Sequence, residues 1–143
     1  MEELPKLSSK ALLALHPKIA DELRARGITR TANNPTGDLA EHLFCSAFGW
    51  TRAGSSLPNV DAIGSDGLRF QIKGRRMTKN RSRQLGAIRS LEGEHVDFLA
   101  GVLFDEKYDL LRAALIPHAT VNLRATYVAH PTSPSISFCA PSV

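Results

Sequence analysis

Asp61-Ala62-Ile63-Gly64-Ser65-Asp66-Gly67-Leu68-Arg69-Phe70-Gln71-Ile72-Lys73-Gly74-Arg75-Arg76 is the stretch on which the fold turns. It reads as two short strands, Val60 to Ile63 and Leu68 to Lys73, joined at Ser65-Asp66-Gly67, a glycine-containing turn suited to a tight hairpin. Side chains alternate across a strand, so Phe70 and Ile72 share one face and pack inward. Gln71 and Lys73 share the other face, beside Asp61. A lysine on a strand ordinarily snorkels or guards an edge, and an isolated aspartate is ordinarily a turn residue. The pairing of Lys73 with Gln71 next to Asp61, on an otherwise apolar strand, gives the stretch its chemical interest.

Upstream, Asn34-Pro35-Thr36 offers a helix start, because Asn34 or Thr36 can cap and Pro35 suits the first turn. The helix is expected over Pro35 to Phe48, where Leu39, Ala40, Leu43, Phe44, Ala47 and Phe48 form an apolar stripe, and Gly49-Trp50 ends it. Glu41 falls at the edge of that stripe, where a carboxylate can look across the rim of the core, whereas His42 falls well away from it. An earlier helix is expected from Ser9 to Arg26, which Pro17 either divides or restarts, with Gly27 as its stop. Downstream, Arg75 to Leu91 reads as a loop with a short helix. Val96 to Phe104 and Leu110 to Ile116 read as central strands of a covered sheet, joined at Asp105-Glu106-Lys107-Tyr108-Asp109. A short helix over His118 to Tyr127 and a largely irregular tail follow, with Ile136 to Cys139 as a candidate edge strand. At 143 residues the chain is expected to be a single α/β domain: an N-terminal helical segment over 8–27, a core over 35–128 and a tail over 131–143.

A hydrophobic content of 43% and a charged content of 22% are those of a globular protein. The formal net charge is only +4, so its distribution matters more than its sum. From Gly67 to Leu91 there is no Asp or Glu, while the window holds Arg69, Lys73, Arg75, Arg76, Lys79, Arg81, Arg83 and Arg89. Such a run is either a solvated loop or one face of an anion site, and phosphate backbone is the usual anion. Arg75, Arg76, Lys79, Arg81 and Arg83 are accordingly the candidate nucleic-acid contacts. Cys45 and Cys139 make no disulfide framework, and no His/Cys spacing suggests zinc. No apolar run approaches the ~18 residues of a membrane span, and Met1 to Lys10 lacks a signal-peptide core, so a soluble, cytoplasmic protein is expected.

Hydrolysing a phosphodiester requires a cation held by carboxylates, an activated water and stabilisation of the phosphorane. Asp61 could hold the cation, Glu41 could add a ligand, and Gln71 and the Ile72 carbonyl could supply neutral oxygens. Lys73 could orient the water or neutralise developing charge. Oxygen donors of this kind favour Mg²⁺ or Mn²⁺ over zinc.

The order helix-Glu, strand-Asp, strand-(polar)-x-Lys resembles the PD-(D/E)XK nuclease superfamily, over roughly Gly37 to Phe104. Arg52-Ala53-Gly54-Ser55-Ser56, followed by Pro58-Asn59-Val60-Asp61, is similar to the corresponding stretch of archaeal Holliday junction resolvases. The resemblance implies a restriction-endonuclease-like αβββαβ core, a mixed sheet flanked by helices, and a metal-dependent DNA endonuclease. It puts the helix acid on Glu41, the strand aspartate on Asp61 and the lysine on Lys73. Two positions depart from the pattern: Gln71 stands where a second acid is usual, and Pro58 precedes Asp61 by three residues. Arg30-Thr31-Ala32-Asn33-Asn34-Pro35-Thr36-Gly37-Asp38-Leu39-Ala40-Glu41 and Phe70-Gln71-Ile72-Lys73-Gly74-Arg75-Arg76 also resemble a set of uncharacterised bacterial proteins in which glutamine is the usual residue. A DNA-binding protein that keeps this fold without catalysis is the competing expectation. A protein-interaction module is a third, in which Leu12, Leu13 and Leu15 could form a homodimer face.

Overall fold

The computed structural model describes residues 3–54, 56–78, 84–88, 96–124, 126–128 and 135–139. Lys79, Arg81 and Arg83 lie outside the described residues.

Helix α1 spans Ser9–Ala25. Ser8 caps it, its Oγ accepting from the Ala11 N–H at 3.2 Å. It ends at Gly27, whose φ of +71° suits a glycine at a helix terminus. The helix runs through Pro17 instead of dividing there, and none of its residues is buried. Helix α2 spans Pro35–Phe48, and Asn34 caps it, its Oδ1 accepting from the Thr36 N–H at 3.0 Å. Pro35 occupies the first turn, where its missing N–H removes no helical bond. Gly49 closes α2 in the left-handed conformation.

The strands are β1 (Thr51–Arg52), β2 (Ala62–Ile63), β3 (Arg69–Arg76), β4 (Gln84–Ile88), β5 (Phe98–Phe104), β6 (Leu110–Pro117), β7 (Thr126–Val128) and β8 (Ser135–Cys139), with helix α3 (His118–Arg124) between β6 and β7. One sheet is mixed and five-stranded, in the order β1-β2-β3-β5-β6; a second has the order β4-β8-β7. Strands β2 and β3 form the expected antiparallel hairpin, and Gly67 supplies its turn at φ +83°. Strand β3 then pairs in parallel with β5, placing Ile72 opposite Ala100 and Gly74 opposite Val102.

Three expectations are revised. Within the basic stretch after β3, Gln84–Ile88 is strand β4 where a loop with a short helix is expected, and β3 itself extends through Arg76. Segment 135–139 is not an edge strand, because β8 pairs with both β4 and β7. Strand β6 is not a covered central strand: it pairs only with β5 among the described residues, and Leu111 and Leu115 remain exposed on one of its faces. A continuous apolar run does not distinguish a central strand from an edge strand, since pairing partners are set by topology.

The core lies between α2 and the sheet. Ala40 and Phe44 from α2 meet Ala62, Phe70, Ile72, Ala100, Val102 and Phe104. Aromatic rings extend it at one end: Trp50 stacks on Phe70 with centroids 3.6 Å apart, and Phe48 stacks on Trp50. At the other end the helix presses on the sheet at Gly74. A Cβ there would lie 2.8 Å from the Ala40 Cβ and 3.1 Å from the Thr36 carbonyl oxygen. Both obstacles belong to a helix pinned along its length by the core, so neither yields cheaply. The close approach sets how deep α2, and with it Glu41, sits over β3. Gly74→Ala is therefore expected to cost about 1–3 kcal/mol by overpacking, seen as a lower denaturant midpoint; an unchanged midpoint contradicts this role.

Candidate functional site

Strand β2 is too short to reach Asp61, yet two backbone bonds hold that residue in line with it. The Asp61 N–H donates to the Phe70 carbonyl at 2.9 Å, and the Asp61 carbonyl accepts from Ala53 N–H at 2.9 Å. Where β2 and β3 stop pairing through backbone, the side chain takes over: Asp61 Oδ2 accepts from the Ile72 N–H at 2.7 Å. N–H and C=O of one strand residue face the same edge, so the Ile72 carbonyl is directed to the side on which Asp61 stands. Burial raises the Asp61 carboxyl above the ordinary aspartate value; the Ile72 N–H, then the charges of Lys73 and Arg30, work against that rise.

Glu41 reaches the same place from α2. Its side chain is only 15% exposed, and its Oε2 accepts from an Arg30 terminal nitrogen at 3.0 Å. Burial raises its carboxyl above the ordinary glutamate value, with the Asp61 charge the next contributor; Arg30 and Arg52 oppose them. Two carboxylates thus stand close enough to repel, with cationic side chains around them.

Arg30 is positioned from below. Asp38 Oδ2 accepts from the N–H groups of Arg30 (2.9 Å) and Thr31 (3.0 Å) and from the Thr31 hydroxyl (3.1 Å). Burial works to raise the Asp38 carboxyl, but these donors and the Arg30 charge outweigh it and hold the group below its ordinary value. Asp38 therefore clamps the loop before α2. Arg30, Asp38 and Asp61 line a cavity of about 490 Å³ together with Gly54, Leu57 and Asn59.

The structure thus brings together Glu41, Asp61, the Ile72 backbone and the charge of Lys73. Gln71 is different: it is buried at 8% exposure, and among the described residues no hydrogen bond joins it to either carboxylate. Its partner across the parallel pair is Leu99, itself 3% exposed, so the face of the sheet opposite α2 is covered at Gln71 as well. Arg75 is half-buried and Arg76 exposed at the far end of β3. Sequence reasoning missed Arg30, Asp38 as a loop clamp, and Arg52 near Glu41. The segment from Arg30 to Glu41 marked the region, but no spacing rule links a loop arginine to a glutamate eleven residues on.

Among the described residues no cluster of three or more His, Cys, Asp or Glu side chains could hold a metal. Two carboxylates with neutral oxygens beside them still suit Mg²⁺, which commonly takes one or two carboxylates and completes its shell with water and substrate phosphate. The mutual repulsion of Glu41 and Asp61 is what a divalent cation would relieve, so the donor set fits such an ion. Asp61 and Glu41 would hold it, with the Ile72 carbonyl as a neutral donor.

No protein-family model matches the chain, and a search of curated proteins finds no match. Among the described residues no helix is long and apolar enough to cross a membrane.

Carboxyls raised in the folded state bind protons more tightly there than in the unfolded chain. Their contribution to stability is present below the unfolded values, near 3.8 for Asp61 and 4.5 for Glu41, and is lost as pH rises through the folded values. Asp61→Asn keeps an acceptor for the Ile72 N–H and removes one charge. In cation-free buffer its stability relative to the wild type should therefore improve as pH is raised from about 4 to 7. Chemical denaturation across that range checks this; a relative stability that falls with pH contradicts an Asp61 carboxyl raised by burial.

Proposed function

We propose that the protein is a divalent-cation-dependent DNA endonuclease built on a restriction-endonuclease-like core. The carrying observation is the meeting of Glu41 and Asp61 beside the Ile72 backbone and the Lys73 charge. The fold reading is supported by a helix packed on a β2–β3 hairpin with β5 parallel to β3. A bound Mg²⁺ or Mn²⁺ supplies Lewis-acid activation of water and neutralisation of phosphate charge. Asp61 would bridge cation and substrate, fixed by the Ile72 N–H, and Glu41 would close the site from α2. Lys73 would orient the attacking water or meet charge developing on the phosphorane. Arg75 and Arg76 on β3, with Lys79, Arg81 and Arg83 following in the chain, would hold the phosphate backbone. A DNA substrate implies a cytoplasmic setting.

A reading without catalysis is favoured by one observation: Gln71 contributes no carboxylate and is buried. It keeps the DNA contacts and removes the chemistry.

The two readings separate in one assay. With Mg²⁺ or Mn²⁺ the wild type should cut some form of DNA, Asp61→Ala should not, and Lys73→Ala should be slower by about 10²–10⁴-fold. Full cleavage by both variants contradicts the assigned site. Salt-dependent binding with no cleavage under either cation selects the second reading. Leu12 and Ile19, seven residues apart on one face of α1, are exposed and would supply an apolar contact for the homodimer that cutting two strands would use. A dimer is thus expected in sedimentation equilibrium, and a monomer at all concentrations contradicts it.

A further inference from the structure

A second cavity, of about 420 Å³, lies at the start of α2 and takes its walls from Asn34, Thr36, Arg75, Arg76, Thr78 and Tyr108. That volume would hold on the order of ten waters, ample for a sugar-phosphate unit. Its described walls carry two arginines and no carboxylate, unlike the cavity beside Asp61.

Of the two arginines, Arg76 is held by described contacts. Arg76 Nε donates to the Glu106 carbonyl at 2.8 Å, and the guanidinium lies 5.3 Å from the centre of the Tyr108 ring. Tyr108 is itself over-determined. It holds φ at +67°, which a bulky side chain rarely adopts, in a turn where Gly or Asn would be the easy choice. Its hydroxyl lies 3.1 Å from Thr36 Oγ1 and its ring packs against Phe104, so the β5–β6 turn, α2 and β3 all converge on it.

The two cavities flank a single helical turn: Thr36 lines one and Asp38 the other. Ile72, beside Asp61, and Arg76 are four residues apart on β3, about 13 Å at the usual strand rise. At about 3.4 Å of duplex axis per nucleotide, a backbone separation of this size spaces the Arg76 cleft for a phosphate further along the strand than one at Asp61. Resting on the nucleic-acid reading above, we propose that the Arg76–Tyr108–Thr36 cleft is a subsite for a flanking phosphate of the DNA strand, with Arg76 as its charged contact and the Tyr108 and Thr36 hydroxyls as its hydrogen-bonding wall.

The test is binding of a fluorescent DNA duplex by the full chain in buffer without divalent cation, over a series of salt concentrations. Arg76→Gln should weaken binding several-fold and reduce the slope of log affinity against log salt by about one, while Arg76→Lys keeps the slope. Tyr108→Phe keeps the ring and the turn, and should weaken binding with the slope unchanged. Unfolding midpoints establish that each variant is folded. Wild-type affinity and slope in folded Arg76→Gln would overturn the subsite. If the wild type cuts DNA and folded Arg76→Gln binds and cuts equally well, the subsite fails and the endonuclease reading stands. If the wild type cuts nothing but Arg76→Gln still loses slope, the endonuclease reading fails and the subsite stands.

Discussion

The arrangement depends on one hydrogen bond, from the Ile72 N–H to Asp61 Oδ2. A backbone carbonyl would ordinarily accept from a strand N–H at this point, but the β2–β3 ladder has already ended. The carboxylate continues the ladder by one step, so the Asp61 side chain itself helps define where β3 runs. Its position is set by the strand and not by a free rotamer. The arrangement also explains why Asp61 tolerates burial, because a donor at 2.7 Å offsets part of the cost of removing its charge from water.

Glu41 depends on a different constraint. Its height above the sheet follows from the approach of α2 at Gly74, where no side chain separates Ala40 and Thr36 from the strand. The core from Ala40 to Phe44 and the aromatic stack at Trp50 hold the rest of the helix. Two carboxylates are delivered by two different elements, and the Asp61 charge works to raise the Glu41 carboxyl while Arg30 partly compensates. Arg30 is tethered through its backbone to Asp38, on the helix that carries Glu41, so donor and acceptor arrive as a unit.

Much of this was legible in the sequence where local chemistry decides the outcome. Asn34 and Pro35 fix the start of α2, Gly49 fixes its end, and the expected span of Pro35 to Phe48 is the observed one. The Gly67 turn and the alternation of Phe70 and Ile72 likewise follow from short-range rules. What failed to show was non-local. Gln71, expected on an open face, is buried because that face is covered where it meets Leu99, whereas the face of β6 carrying Leu111 and Leu115 is left open. Arg30 reaches Glu41, and Tyr108 reaches Thr36, through contacts that only the folded chain creates. The sequence marked Glu41, Asp61 and Lys73 as one group, while Arg30 and Arg52, which also act on Glu41, were not readable.

In the proposed function Asp61 and Glu41 hold a divalent cation, and a Mn²⁺-soaked crystal tests this most directly. Anomalous scattering should show a peak bound by the Asp61 carboxylate and the Ile72 carbonyl, with Glu41 turned toward it from its partner Arg30. A crystal diffracting well, with saturating Mn²⁺, no peak there and Glu41 still paired to Arg30, would contradict it.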